Sequence, residues 1–148
     1  MLKIPLENIY SNKFIPPNVD WAAFLKQLNE KEFSLENRKL LHKVIANHYR
    51  FSEISQPENV DLLLLPNTFT ITTGHQLCLF GGPQYFIHKI VSVINISRKL
   101  KEKHPDYNFI PCFWLASEDH DFEEISEVNI FNKKIKVSGG GNRPVGKI

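Results

Sequence analysis

The sequence predicts an α/β fold, the first βαβ portion of a parallel sheet preceded by N-terminal helices. Three observations carry this. The run Thr68-Phe69-Thr70-Ile71-Thr72 is β-branched and alternating, as a strand requires. A long apolar-striped segment then opens at Pro83 and runs to about Lys103, where His104-Pro105 breaks it. Residues 109–116 follow as an almost unbroken apolar run, which suits a strand buried on both faces of a parallel sheet.

The bulk numbers agree with a globular domain. The chain has 148 residues, 42% hydrophobic and 23% charged, which excludes wholesale disorder. The net charge of +2 gives no reason to expect nucleic acid or a membrane as partner. Cys78 and Cys112 are too few for a disulfide scaffold and read as reduced thiols. The N-terminus lacks a signal peptide's apolar core and no run approaches ~18 apolar residues, so the expected location is cytoplasmic. Residues 138–148 are loop chemistry, which predicts that the chain is a fragment of a longer protein.

Two parts are expected, an arm and helical lead-in over 1–66 and the sheet domain over 67–148. Residues 1–17 read as an extended arm closed by Pro16-Pro17. Asn18 or Asp20 caps a helix to about Glu30, with Trp21, Phe24, Leu25 and Leu28 on one face. Trp21 and Phe24 suit a core or a homodimer face equally. Ser34 caps a longer helix striped by Leu40, Leu41, Val44, Ile45 and His48, fading near Ile54. Pro57 opens a helix of one or two turns that Pro66 stops.

Residues 73–82 are expected as a loop, and Pro83 as the first residue of the long helix. Phe86, Ile87, Ile90, Val91 and Ile94 stripe that helix, and Val93 and Ile96 widen the stripe, so it packs on more than one side. Pro111 marks the start of the second strand or an edge. Residues 128–131 and 134–137 form a hairpin around Asn132-Lys133.

Parallel strands end on one edge of the sheet, and open α/β sheets bind ligands there. The first strand delivers Thr72, Thr73, Gly74, His75 and Gln76 to that edge. The second delivers Ser117, Glu118, Asp119, His120 and Asp121. Gly81 and Gly82 allow close backbone approach, and the helix start behind them can hold a phosphate or carboxylate, with His88 and Lys89 adding charge. The spacing matches neither a P-loop nor the dinucleotide fingerprint. Each group also has an ordinary reading: Gly81-Gly82 as a tight turn, residues 118–121 as an acidic helix start. The set His75, Asp119, His120 and Asp121 has the chemistry of a metal-dependent hydrolase, but no His-Glu-x-x-His is present, and polar substrate binding without a metal is the favoured reading. A non-catalytic nucleotide- or anion-binding module is the other alternative.

Two longer segments carry a family resemblance. Thr73-Gly74-His75-Gln76-Leu77-Cys78-Leu79-Phe80-Gly81-Gly82-Pro83-Gln84-Tyr85-Phe86-Ile87-His88-Lys89 and Phe113-Trp114-Leu115-Ala116-Ser117-Glu118-Asp119-His120-Asp121-Phe122-Glu123-Glu124 resemble the two signatures of the BshC family, cysteine ligases of bacillithiol biosynthesis. Arg143-Pro144-Val145-Gly146 resembles a third, shorter one. The resemblance implies a Rossmann-like domain similar to nucleotidyltransferases, with a coiled coil in a later part of the protein. It implies the joining of cysteine to glucosaminyl-malate through an amide, with ATP or ADP as the candidate cofactor. Asp119, His120 and Asp121 would be catalytic, orienting an amine or accepting its proton. Thr73, Gly74, His75, Gln76, Gly81, Gly82, His88 and Lys89 would bind substrate or anion. His75 stands where the family's usual residue is Gln, which exchanges a neutral amide for a titratable ring.

Overall fold

Side-chain caps start both lead-in helices. In the computed structural model, which describes residues 20–79, 82–139 and 143–147, the Asp20 carboxylate accepts the N–H groups of Ala22 and Ala23 at 3.0 and 3.1 Å. It thereby satisfies two donors that a helix start leaves unpaired. Helix α1 runs Trp21–Glu30 and α2 runs Leu35–Phe51, the latter capped by Ser34 Oγ on the Asn37 N–H at 3.2 Å. The short helix after Pro57 is a 3-10 helix, Glu58–Leu64. The arm expected over residues 1–17 and the Asn18 cap lie outside the described residues, as does Gly81.

Strands β1, Thr68–Gln76, and β2, Asn108–Ala116, pair in parallel, with Thr68 opposite Asn108 and Gln76 opposite Ala116. Helix α3, Gln84–Lys103, connects them. This is the expected βαβ unit. One face of the pair holds Ile71 and Phe109 against Val93, Ile96 and Leu100 of α3, with Trp21, Phe24 and Leu28 of α1 packed on this cluster. Trp21 and Phe24 are partly buried against this core. A second cluster joins Ile110 to Val60 and Leu63, with Leu41, Ile45 and Tyr49 of α2 behind them.

Several expectations need correction. Residues 73–76 are strand, not loop: β1 continues because residues 113–116 of β2 offer it a full row of partners. Glycine is required within this stretch, since a Cβ on Gly74 would lie 2.8 Å from the Trp114 carbonyl oxygen. Pro83 is the N-cap of α3 and the helix begins at Gln84. In α2 only part of the apolar stripe is covered: Leu40 and Val44 are exposed, and the residue buried in that helix is Arg38. β2 is buried at Phe109 and Ile110, whereas Trp114 and Leu115 are 60% and 49% exposed, although Phe113 beside them packs on Phe86 of α3.

Pro111 sits inside β2 without breaking it. The Asn108 N–H points at β1, bonding the Asn67 carbonyl at 2.9 Å. Alternation then turns residue 111 away from β1, where no ladder donor is needed.

The hairpin consists of antiparallel β3, Glu127–Ile130, and β4, Lys133–Lys136. Its turn is Phe131-Asn132, one residue earlier than expected. Both residues have positive φ, 46° and 62°, the backbone that a two-residue turn with the right twist demands.

Candidate functional site

The parallel register brings the ends of β1 and β2 to one edge, as the sequence implied, and His75 and Gln76 meet the second segment there. Gln76 is buried; its Nε2 donates to the Asp121 carbonyl at 3.2 Å and to Glu124 Oε2. His75 is also buried, with Nε2 hydrogen-bonded to the Tyr85 hydroxyl and 3.5 Å from Glu124 Oε1. Its Nδ1 lies 3.0 Å from the Gln76 carbonyl and 3.3 Å from Cys78 Sγ. The Tyr85 hydroxyl donates to Glu124 Oε1 at 3.0 Å. Glu124 is thus a hub joining the end of β1, the first turn of α3 and α4, Phe122–Ile125.

Lys89 Nζ donates to the Gly74 carbonyl at 3.1 Å and lies over the Tyr85 ring. The Gly74 carbonyl points away from β2, so Lys89 secures the open edge of β1 near its end. Arg38 does the same at its start, donating to the Thr68 carbonyl at 3.0 Å. Between these two clamps a groove of about 860 Å³ runs along β1, lined among others by Thr70, Thr72, Thr73 and His88.

The electrostatics follow from this packing. Burial pushes the Cys78 thiol up, Glu124 adds to the rise, and Lys89 opposes it. Desolvation pushes the Tyr85 hydroxyl up, and its hydrogen bond to Glu124 reinforces the shift. Both cysteines are free and half-buried.

The three expected catalytic residues are exposed, and two carboxylates have local partners. Asp119 accepts the His120 N–H at 2.7 Å, and Asp121 caps α4 through the Glu124 N–H at 3.2 Å. The third sequence segment folds back onto this loop: the Val145 N–H bonds the Asp119 carbonyl at 2.7 Å, and the Gly146 N–H the Ser117 carbonyl at 2.9 Å. Gly82 has φ 74°, and a Cβ there would lie 2.8 Å from Cys78 Cβ. Its N–H is taken by the Leu79 carbonyl, so the backbone donors nearest the helix start are those of Gln84 and Tyr85. Among the described residues no group of three or more His, Cys, Asp or Glu side chains converges to hold a metal ion, so His75, Asp119, His120 and Asp121 do not assemble as one. Nor is any described helix long and apolar enough to cross a membrane.

Sequence reasoning did not name Tyr85, Cys78 or Glu124 as site residues. A signal existed for Glu124: Asp121-Phe122-Glu123-Glu124 has the spacing of a capping box. The Asp121 half forms, but Glu124 turns toward Gln76 and Tyr85.

A parallel βαβ unit with polar groups gathered beyond the strands' carboxyl ends is the building unit of a Rossmann-like domain. The chain belongs to the BshC family: the family described as "Bacillithiol biosynthesis BshC, N-terminal Rossmann-like domain" matches residues 4–148. Relatives carry the name "Putative cysteine ligase BshC". The one from Flavobacterium johnsoniae is 50% identical over 129 residues, covering 84% of this chain and 24% of its own length. That from Flavobacterium psychrophilum is 45% identical over 130 residues, with the same coverage. That from Staphylococcus carnosus is 38% identical over 93 residues, covering 62% of this chain and 17% of its own. The chain thus spans about a quarter of the length of the first of these relatives.

Proposed function

We propose that this chain forms the N-terminal crevice of a ligase that adds cysteine to glucosaminyl-malate, completing bacillithiol in the cytoplasm. The observation that carries the reading is the bond from Gln76 at the end of β1 to the Asp121 carbonyl, which unites the two signature segments at one sheet edge. Amide formation needs an activated carboxyl, an amine nucleophile and a place for developing negative charge. The start of α3, with the N–H groups of Gln84 and Tyr85 and with Lys89 within the next two turns, suits a carboxylate or phosphate. Gly74, His75, Gln76 and Gly82 would bind substrate or anion there, and Thr73 and His88 line the adjoining groove. A nucleotide, ATP or ADP, would supply the carboxyl activation when bound. Asp119, His120 and Asp121, all exposed, would orient the amine or accept its proton.

The test uses the full-length protein in cells that depend on it for bacillithiol. Asp119→Ala together with His120→Ala should abolish bacillithiol formation while the protein still accumulates. Unchanged thiol levels would overturn the reading.

A further inference from the structure

Gln76 carries an unmet demand. It is 3% exposed, and its Nε2 points at the Asp121 carbonyl and the Glu124 carboxylate. Both are acceptors only, so the amide cannot be turned round: its amino group must face them and its oxygen takes the other arm of the amide. That oxygen is buried and meets no donor among the described residues. A buried acceptor in this state is destabilising until a donor arrives.

The surroundings select the kind of donor. The Glu124 side chain is 44% exposed, so a ligand can reach it, and its ion-pair partner is a histidine, His75, at 3.5 Å. Carbonyls crowd the same edge: that of Gly74 receives Lys89, that of Gln76 faces His75, and that of Asp121 receives Gln76. A hydroxyl would satisfy the Gln76 oxygen alone. A primary ammonium would satisfy it with one of three N–H donors and also answer the charge of Glu124.

We propose that Gln76 and Glu124 form a binding subsite for a substrate's primary ammonium group at the carboxyl edge of the sheet. The inference rests on the ligase reading, in which both cysteine and glucosaminyl-malate carry such a group.

Calorimetric titration of the full-length protein tests it without requiring turnover. Cysteine is compared with 3-mercaptopropionate, which lacks the amino group, and glucosaminyl-malate with its N-acetyl derivative. In the wild-type protein one of the two amines should bind at least tenfold tighter than its amine-free or acylated counterpart, and which one does so identifies the occupant. Glu124→Gln should erase that preference while leaving the counterpart's affinity unchanged, and Gln76→Met should weaken it. Glu124→Gln is isosteric and half-exposed, so it decides the matter even if Gln76→Met does not fold. A preference that survives Glu124→Gln, an equal loss for amine and counterpart, or no preference for either amine overturns the proposal. Amine-selective binding without amide formation would leave the subsite standing and remove the ligase reading. Amide formation with amine-blind binding would do the reverse.

Discussion

The Val145 N–H donates to the Asp119 carbonyl at 2.7 Å, which fastens residues 143–147 onto the loop that leaves β2. Three segments scattered over the chain thereby share one edge of a two-stranded sheet.

Gly146 makes that fastening possible. A Cβ at this position would lie 2.8 Å from both the Cβ and the backbone oxygen of Ser117, and the backbone cannot yield cheaply. Gly146→Ala should therefore release the segment. Hydrogen exchange is the measurement: the amides of Val145 and Gly146 should lose protection, while those of β1 keep theirs. Wild-type protection at both amides would contradict the packing described.

Arg38 holds the entry to β1. Its guanidinium is buried and donates to the carbonyls of Phe33, Leu63, Pro66 and Thr68 at 3.0–3.3 Å. Arg38→Met keeps most of the volume but leaves buried carbonyls unpaired, which should cost roughly 2 kcal/mol or more. Urea unfolding monitored by Trp21 and Trp114 fluorescence would show it as a lower midpoint. A change under 0.5 kcal/mol, the usual range for a surface substitution, would mean that the clamp carries no weight.

Cys78 offers a reading of the local field. Burial raises its thiol pKa above the ordinary 9.0, Glu124 raises it further, and Lys89 lowers it. Only the thiolate is alkylated, so the wild-type protein should react slowly with iodoacetamide at pH 8. Glu124→Gln removes a negative charge, lowers the thiol pKa and should speed the reaction. Lys89→Ala removes a positive charge and should slow it. Mass spectrometry separates Cys78 from Cys112, whose thiol is also raised by burial, with Thr72 opposing. Equal rates in all three proteins would show that the two charges do not reach the sulfur.

Phe131 occupies a backbone conformation that suits it badly. Its φ is 46° and its side chain is 96% exposed, so few contacts offset the strain. Asn tolerates that conformation and is favoured in such turns. Phe131→Asn should therefore stabilise the hairpin by about 0.5–1 kcal/mol. A rise in the thermal midpoint of a full-length protein would be the sign of it, and a fall would show that Phe131 makes a contact worth more than the strain.

Local chemistry decided what could be read directly. Asp20 and Ser34 announced the two lead-in helices because a helix start needs an oxygen for its unpaired N–H groups, and both side chains supply it. Alternating β-branched residues announced β1, and a continuous apolar run announced β2. Parallel pairing followed from the long helix between them, and with it the shared edge for Gln76 and Asp121. The resemblance pointed to the same two segments. Tertiary structure alone decided the rest, because it depends on partners distant in the chain. Thr73 to Gln76 are strand only because β2 lies alongside. Leu40 and Val44 look like core and are exposed, while Arg38 looks like surface and is buried, since the neighbouring carbonyls, not hydropathy, determined which side of α2 is covered. Asp119 and Asp121 were legible as acids at the edge, but only the fold turned their carboxylates to local N–H groups and brought Glu124 against Gln76, 48 residues away.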